Sequence, residues 1–156
     1  MPANGKPMCI AHAGRMEKAN RIKDINDVMV KHFVLKGEKV KLLVCTVSSM
    51  INVFDTSVID VKAASRDDFW ELAKDDMHVI INMSDEGGSS MALLEPMMLG
   101  VPAIVGPVNK MSEAFGADYP FLANNITEAY ALVGMFYDDY PAMYAKWKDW
   151  YQTKFL

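Results

Sequence analysis

The stretch that decides the fold is residues 77–105, which reads MHVIINMSDEGGSSMALLEPMMLGVPAIV. A β-prone apolar run at 77–83 is followed by a polar, glycine-containing turn at 84–90. An apolar segment of helical length then covers 91–99, and a glycine separates it from a second β-prone run at 101–105. This order of strand, helix and strand predicts a parallel pair, because parallel neighbours need a long crossover connection.

The same alternation extends in both directions from this stretch. Further strands are predicted at 8–13, 40–46 and 57–63, and further helices at 22–37, 66–74, 126–137 and 141–155. Asn125 is the predicted N-cap of the third of these helices, with Glu128 at its third position. We therefore predict an α/β fold, a Rossmann-like doubly wound parallel sheet of about five to six strands flanked by helices, as a single domain over residues 1–156.

Composition limits the class of protein. The chain has 156 residues, 51% of them hydrophobic and 23% charged, which is typical of one globular domain. No apolar run approaches the roughly 18 to 20 residues that cross a bilayer, and residues 1–6 lack the order of a signal peptide, so we expect a cytoplasmic protein without a transmembrane segment. Cys9 and Cys45 lie in predicted strands, which favours buried reduced thiols over a disulfide or a metal site.

Charge is distributed unevenly along the chain. Residues 1–41 hold nine Lys/Arg and four Asp/Glu, whereas residues 42–156 hold seven and sixteen. A basic N-terminal part indicates either an anion-binding edge or a solvated lysine-rich helix face. A nucleic-acid surface is not expected, because no basic stripe with interleaved aromatic residues occurs beyond residue 41.

Two loops follow predicted strands at the edge where doubly wound sheets bind ligands, 14–21 and 84–90. In the second loop Gly87, Gly88 and Ser89 leave backbone N–H groups free at a helix start, which suits a phosphate but is equally consistent with a simple reversing turn. The sequence has neither a Walker loop nor the dinucleotide fingerprint here.

Glu95 is an acid within the apolar segment 91–99. An acid in such a setting needs a partner. Either it caps a neighbouring backbone, or its two oxygens accept hydrogen bonds from a hydroxyl pair such as that of a ribose.

Residues 80–105 resemble the signature stretch of retaining nucleotide-sugar glycosyltransferases of the GT-B fold, the "group 1" class, and AHAGRM (residues 11–16) stands where that class has its Gly-Arg loop. The resemblance covers nearly the whole chain and implies the C-terminal, donor-binding half of such an enzyme. By that resemblance Glu86 is the catalytic residue that contacts the donor sugar, and Glu95 binds ribose. The resemblance also places Gly87, Gly88 and Ser89 on the diphosphate.

In the same class an arginine and a lysine neutralise the diphosphate. Arg15 matches the arginine, while Lys18 and Arg21 lie on either side of the lysine position. Cations with helix N–H groups stabilise a departing nucleoside diphosphate without a metal, so we expect neither a metal nor a cofactor besides the donor substrate. Glu113 is a further candidate for ligand contact. His12 on the first strand faces either the core or the cleft, and His78 is expected to be structural.

The motif departs from the usual pattern at two places. Glu86 and Glu95 enclose eight residues where seven are usual, a difference that affects the position of Glu86 in the motif. Pro96 replaces the common alanine and should kink a helix that began well before it.

The implied reaction is transfer of a sugar from a nucleoside diphosphate sugar to a hydroxyl acceptor with retention of configuration. A complete GT-B enzyme has two such domains, so we expect an N-terminal acceptor-binding partner domain, in the same or a separate chain, and little turnover by this half alone. The aromatic helix at 141–156 is expected to pack on that partner domain. The alternative is a non-catalytic nucleotide-binding or protein-interaction α/β module.

Overall fold

The fold was analysed in a computed structural model of the chain. The structure describes the residues 8–12, 27, 40–44, 59–63, 77–82, 97–106, 115–116 and 118–155. The predicted helix at 66–74 and Cys45 lie outside the described residues, and of the predicted helix at 22–37 only Asp27 is described, as helical.

Five parallel strands form one sheet. They are β1 (Met8–His12), β2 (Val40–Val44), β3 (Ile59–Ala63), β4 (Val79–Asn82) and β5 (Ala103–Val105). Their order in the sheet is β3-β2-β1-β4-β5, with every neighbouring pair parallel. The predicted doubly wound parallel sheet is therefore confirmed, with all five predicted strands present.

The strand order contains one reversal of direction. From β1 the chain proceeds outward through β2 to β3, and it then returns to the other side of β1 to add β4 and β5. The reversal lies between β1 and β4, which pair in the register Ile10↔Val79, Ala11↔Ile80 and His12↔Ile81. In open α/β sheets this is the place where ligands bind, beyond the carboxyl ends of the strands.

The central strands β1 and β4 lie in the core. Met8, Ile10, Ala11 and the first three residues of β4 are completely buried, and Cys9 is a buried free thiol. Burial of every side chain along a strand explains the continuous apolar runs, because a parallel sheet is covered by other elements on both faces.

The boundaries of β5 follow from its flanking residues. Gly100 has φ +85°, a left-handed conformation that favours glycine, and its N–H donates to the carbonyl of Met97 at 3.0 Å. This ends the preceding helix as predicted. The strand starts at Ala103 rather than at Val101, since Pro102 has no N–H to contribute to a ladder.

Two helices follow the sheet, α1 (Ile126–Asp138) and α2 (Tyr140–Trp150), and a π-helical turn at Tyr151–Phe155 completes the described chain. Asn125 caps α1 as predicted: its side chain accepts the N–H of Glu128 at 2.8 Å. The Glu128 carboxylate in turn accepts the N–H of Asn124 at 2.6 Å, one residue before the cap. The helix predicted at 141–155 is therefore present as an α-helix followed by a π-helical turn.

An aromatic cluster joins α2 to the rest of the domain. Trp150 packs against Tyr119 and Phe115, with ring centroids 4.5 and 5.7 Å away, and Trp147 is 1% exposed. The two tryptophans therefore bury their rings within this domain. Contact between α2 and a further domain stays a prediction. Such a contact would involve the exposed side of the helix.

Candidate functional site at the carboxyl edge of the sheet

The carboxyl ends of β1 and β4 lie side by side at the reversal of strand order. His12, the last residue of β1, pairs with Ile81, and Asn82 ends β4 one residue later. Parallel neighbours are about 4.8 Å apart, so the segments that follow these two residues leave the sheet from adjacent points.

Both loops singled out in the sequence begin at this place. Residue 13 follows β1 directly, and residue 83 follows β4 directly. The strand order brings the ends of the two preceding strands next to each other.

The predicted site residues themselves lie outside the described residues. These are Arg15, Lys18, Arg21, Glu86, Gly87, Gly88, Ser89 and Glu95, together with Glu113. Their roles stay predictions, and the structure positions the strands from which their loops start.

The end of the segment 91–99 is less buried than its composition suggests. Met97 is completely buried, but Met98 and Leu99 are 73% and 61% exposed. An apolar sequence here therefore does not mean that every side chain is buried. The argument that Glu95 must have a partner because its neighbours are apolar is correspondingly weaker, and the case for it rests on the motif.

His78 lies at the opposite, amino edge of the sheet. Its ring Nδ1 accepts a hydrogen bond from the backbone N–H of Cys9 at 2.8 Å. The backbone N–H of His78 donates to the Cys9 carbonyl at 2.9 Å. The Tyr140 hydroxyl donates to the His78 carbonyl at 2.8 Å, and the two rings meet edge to face with centroids 5.7 Å apart. His78 therefore joins β1, β4 and α2, which is the structural role predicted for it.

Three tyrosines have shifted pKa values. Burial raises the pKa of Tyr119, Tyr130 and Tyr140 above the ordinary value. The Tyr119 hydroxyl donates to the carbonyl of Ala103, the first residue of β5. Burial is the largest cause of each of these shifts, so they give no evidence of a catalytic role.

Within the described part of the chain, no group of three or more His, Cys, Asp or Glu side chains is arranged to hold a metal ion. No helix there is both long and apolar enough to cross a membrane.

Asn82 is a residue of the carboxyl edge that the sequence analysis does not single out. The signal for it is present: β1 and β4 together contain nine residues, and only the last of each, His12 and Asn82, is strongly polar. A polar residue that ends an otherwise apolar, fully buried strand is better accommodated at the sheet edge than in the core.

Solved structures share this fold. The catalytic domain of cholesterol-α-glucosyltransferase from Helicobacter pylori superposes with a TM-score of 0.68 at 14% identity, over 95% of this chain and 97% of that one. The C-terminal domain of a group 1 family glycosyltransferase (LpcC) from Francisella tularensis gives 0.66 at 12% identity, over 95% of this chain and 86% of that one.

A UDP-GlcNAc 2-epimerase from Neisseria meningitidis, bound to UDP-GlcNAc, gives a TM-score of 0.56 at 19% identity, and here the match covers 94% of this chain but 40% of the epimerase. The sequence matches no protein-family model and no curated protein at a significant level.

These likenesses define the class of fold. The chain has the Rossmann-like fold of the C-terminal domain of GT-B, group 1 glycosyltransferases, as the sequence resemblance implies. At identities of 12 to 19% the likeness establishes the fold and leaves activity to be argued from the site.

Proposed function

We propose that this chain is the donor-binding half of a retaining glycosyltransferase and binds a nucleoside diphosphate sugar at the carboxyl edge of its sheet. The observation that carries the proposal is the strand order β3-β2-β1-β4-β5, in which the reversal lies between β1 and β4. The arginine-containing loop follows β1 in the sequence, and the glycine-rich loop follows β4. A ligand at that place is within reach of both loops.

Chain length limits how far the candidate groups can lie from this edge. Arg15 follows His12 by three residues, which span at most about 11 Å, and Gly87 follows Asn82 by five, which span at most about 18 Å. A cation and a pair of glycines are thereby tethered to neighbouring strand ends. In the proposal Arg15, with Lys18 or Arg21, neutralises the diphosphate, and Gly87, Gly88 and Ser89 donate backbone N–H groups to it.

The two glutamates have separate roles in the proposal. Glu95 accepts hydrogen bonds from the ribose hydroxyls, and Glu86 contacts the donor sugar where the glycosidic bond to the diphosphate breaks. Leaving-group charge is stabilised by the cations and N–H groups, so no metal or further cofactor is required. The acceptor and the groups that bind it come from a partner domain.

Nucleotide-sugar binding is the part of the proposal to test first. The fold occurs both in glycosyltransferases and in an epimerase bound to UDP-GlcNAc, so binding of a nucleotide sugar is common to both chemistries. We would titrate the protein calorimetrically with UDP, GDP and ADP in the absence of metal. We expect one of the three to bind, and its identity names the donor base.

Substitutions separate the proposed contacts from general effects. Glu95→Gln should weaken binding of that nucleotide at least tenfold, because an amide accepts hydrogen bonds less strongly than a carboxylate. Asp149→Asn, at an exposed position on α2, is the matched control and should leave affinity unchanged. Equal effects of the two substitutions, or binding that is unaffected by Glu95→Gln, would contradict the assignment of the ribose site.

The cations are tested in the same titration. Arg15→Ala should weaken binding of the nucleoside diphosphate more than binding of the monophosphate, because it removes charge near the second phosphate. Lys148→Ala, at an exposed position on α2, is the control and should change the affinity for neither nucleotide. Absence of binding by all three nucleotides at millimolar concentration, in a folded protein, would count against a donor site in this chain and favour the non-catalytic module.

A further inference from the structure

Methionines in the described part of the chain differ sharply in exposure. The sequence contains 13 methionines. Met8 and Met97 are completely buried, whereas Met98 and Met135 are 73% and 52% exposed. Met97 and Met98 are neighbours in the chain and share their local sequence, so a difference in their chemistry would come from the fold.

Exposure decides which methionine side chains meet a dissolved peroxide. The sulfur lone pair attacks one oxygen of hydrogen peroxide, the O–O bond breaks, and the peroxide takes up the two electrons that sulfur gives. The departing hydroxide collects the proton left on the transferred oxygen, so the products are methionine sulfoxide and water. A completely buried side chain such as that of Met97 offers the oxidant no approach, whereas that of Met98 does.

The effect of a sulfoxide on the fold depends on where it forms, because the group is polar. Met97 belongs to the buried hydrophobic core, where the new oxygen would lie among apolar side chains. At Met98 and Met135 solvent can hydrate it. The bond that ends α1 is also unaffected, since Met135 accepts the Asp139 N–H at 3.1 Å through its backbone carbonyl and not through sulfur.

We propose that Met98 and Met135 are sites of reversible oxidation, at which a peroxide forms methionine sulfoxide while the protein stays folded. Reductases that convert the sulfoxide back to methionine can reach a side chain that is exposed in the folded protein. The two sites let the chain take up oxidant and be repaired without unfolding. This inference does not depend on nucleotide binding, so it can fail while the proposed function holds, and the reverse.

The first test follows oxidation residue by residue. The folded protein is treated with hydrogen peroxide, samples are quenched and digested, and mass spectra of the fragments assign each added oxygen, distinguishing Met97 from Met98. We expect Met98 and Met135 to be oxidised at least about tenfold faster than Met8 and Met97. In the urea-unfolded chain all four should react at similar rates, which is the matched control for burial. Equal rates for Met97 and Met98 in the folded protein would overturn the inference.

Substitutions test whether the fold tolerates a polar group at these sites. Glutamine approximates the size and polarity of methionine sulfoxide and changes one site at a time. Met98→Gln and Met135→Gln should leave the midpoint of urea unfolding nearly unchanged, whereas Met97→Gln should lower it clearly or prevent folding. A clear fall in the midpoint of Met98→Gln or Met135→Gln would overturn the proposal.

Reversibility is measured on the folded, oxidised protein. After brief peroxide treatment, the protein is incubated with reductases for both sulfoxide epimers and a thiol reductant, which is oxidised to a disulfide as the oxygen leaves as water. The added oxygen should be lost from Met98 and from Met135. Sulfoxide that persists at either residue would contradict the assignment of that residue as a reversible site.

Discussion

The Tyr140 hydroxyl donates a hydrogen bond of 2.8 Å to the carbonyl of His78, across 62 positions of sequence. Because His78 also exchanges two hydrogen bonds with Cys9, this contact joins the first turn of α2 to the amino edge of the two central strands. These hydrogen bonds lie at the amino edge of the central strands, and the opposite edge is the one proposed to bind ligand.

Removing this hydroxyl should destabilise the fold without affecting ligand binding. Tyr140→Phe loses a part-buried hydrogen bond and leaves the His78 carbonyl without that donor, so we expect the free energy of unfolding to fall by about 1 kcal/mol. Tyr144→Phe is the control: Tyr144 lies one turn later on α2, and its ring stacks on that of Tyr140 with the centroids 5.8 Å apart. This substitution should lower the free energy of unfolding by less than about 0.5 kcal/mol. Urea unfolding measures both, and a loss of nucleotide affinity in Tyr140→Phe would contradict the separation of the two edges.

Much of the fold could be predicted from sequence because its signals are local. The apolar runs mark all five strands, Asn125 marks the start of α1, and Gly100 marks the end of the helix before β5. Each depends on residues that lie close together in the chain, where periodicity and capping chemistry operate.

Contacts between distant residues could not be predicted in this way. No local pattern indicates that Tyr140 binds His78, and apolar composition did not reveal that Met98 and Leu99 are exposed while Met97 is buried. For the site, the rule for parallel sheets gives the edge, and the strand order places the reversal between β1 and β4. The geometry of side chains in the loops depends on tertiary packing and on the ligand, which sequence patterns do not encode.

Alkaline pH should destabilise the protein through its buried tyrosines. Burial raises the folded-state pKa of Tyr119, Tyr130 and Tyr140 above the ordinary value near 10. Below about pH 10 both the folded and unfolded states keep these protons, so the contribution to stability is fully present. Above it the unfolded chain releases protons that the folded chain retains, and each such group should lower stability by about 1.4 kcal/mol per pH unit.

Urea unfolding between pH 8 and pH 11.5 measures this dependence, and absorbance near 295 nm reports tyrosinate. We expect the tyrosinate signal of the three buried groups to appear together with unfolding. Tyr130→Phe should make the free energy of unfolding fall less steeply with pH, by the contribution of one tyrosine. Ionisation of all six tyrosines in a protein that remains folded would contradict the burial of these phenols.

The stability lost by removing the N-cap of α1 should be restored by other residues whose side chains accept a hydrogen bond at this position. Asn125→Ala removes the acceptor for the Glu128 N–H and should cost about 1 kcal/mol, while Asn125→Asp and Asn125→Ser should restore most of it. Thermal unfolding of the three variants tests this, since equal melting temperatures for the alanine and serine variants would show that the cap contributes little.

Gly100 should tolerate asparagine better than alanine. A Cβ at this position would meet the Tyr144 hydroxyl at 3.5 Å, an ordinary contact, so space is not the obstacle. The obstacle is φ +85°, which costs a residue with a Cβ about 1 to 2 kcal/mol and is least unfavourable for asparagine among them. We expect Gly100→Ala to lower the free energy of unfolding by about 1 kcal/mol or more and Gly100→Asn by less. Equal losses in urea unfolding would indicate that contact with Tyr144, rather than backbone conformation, restricts this position.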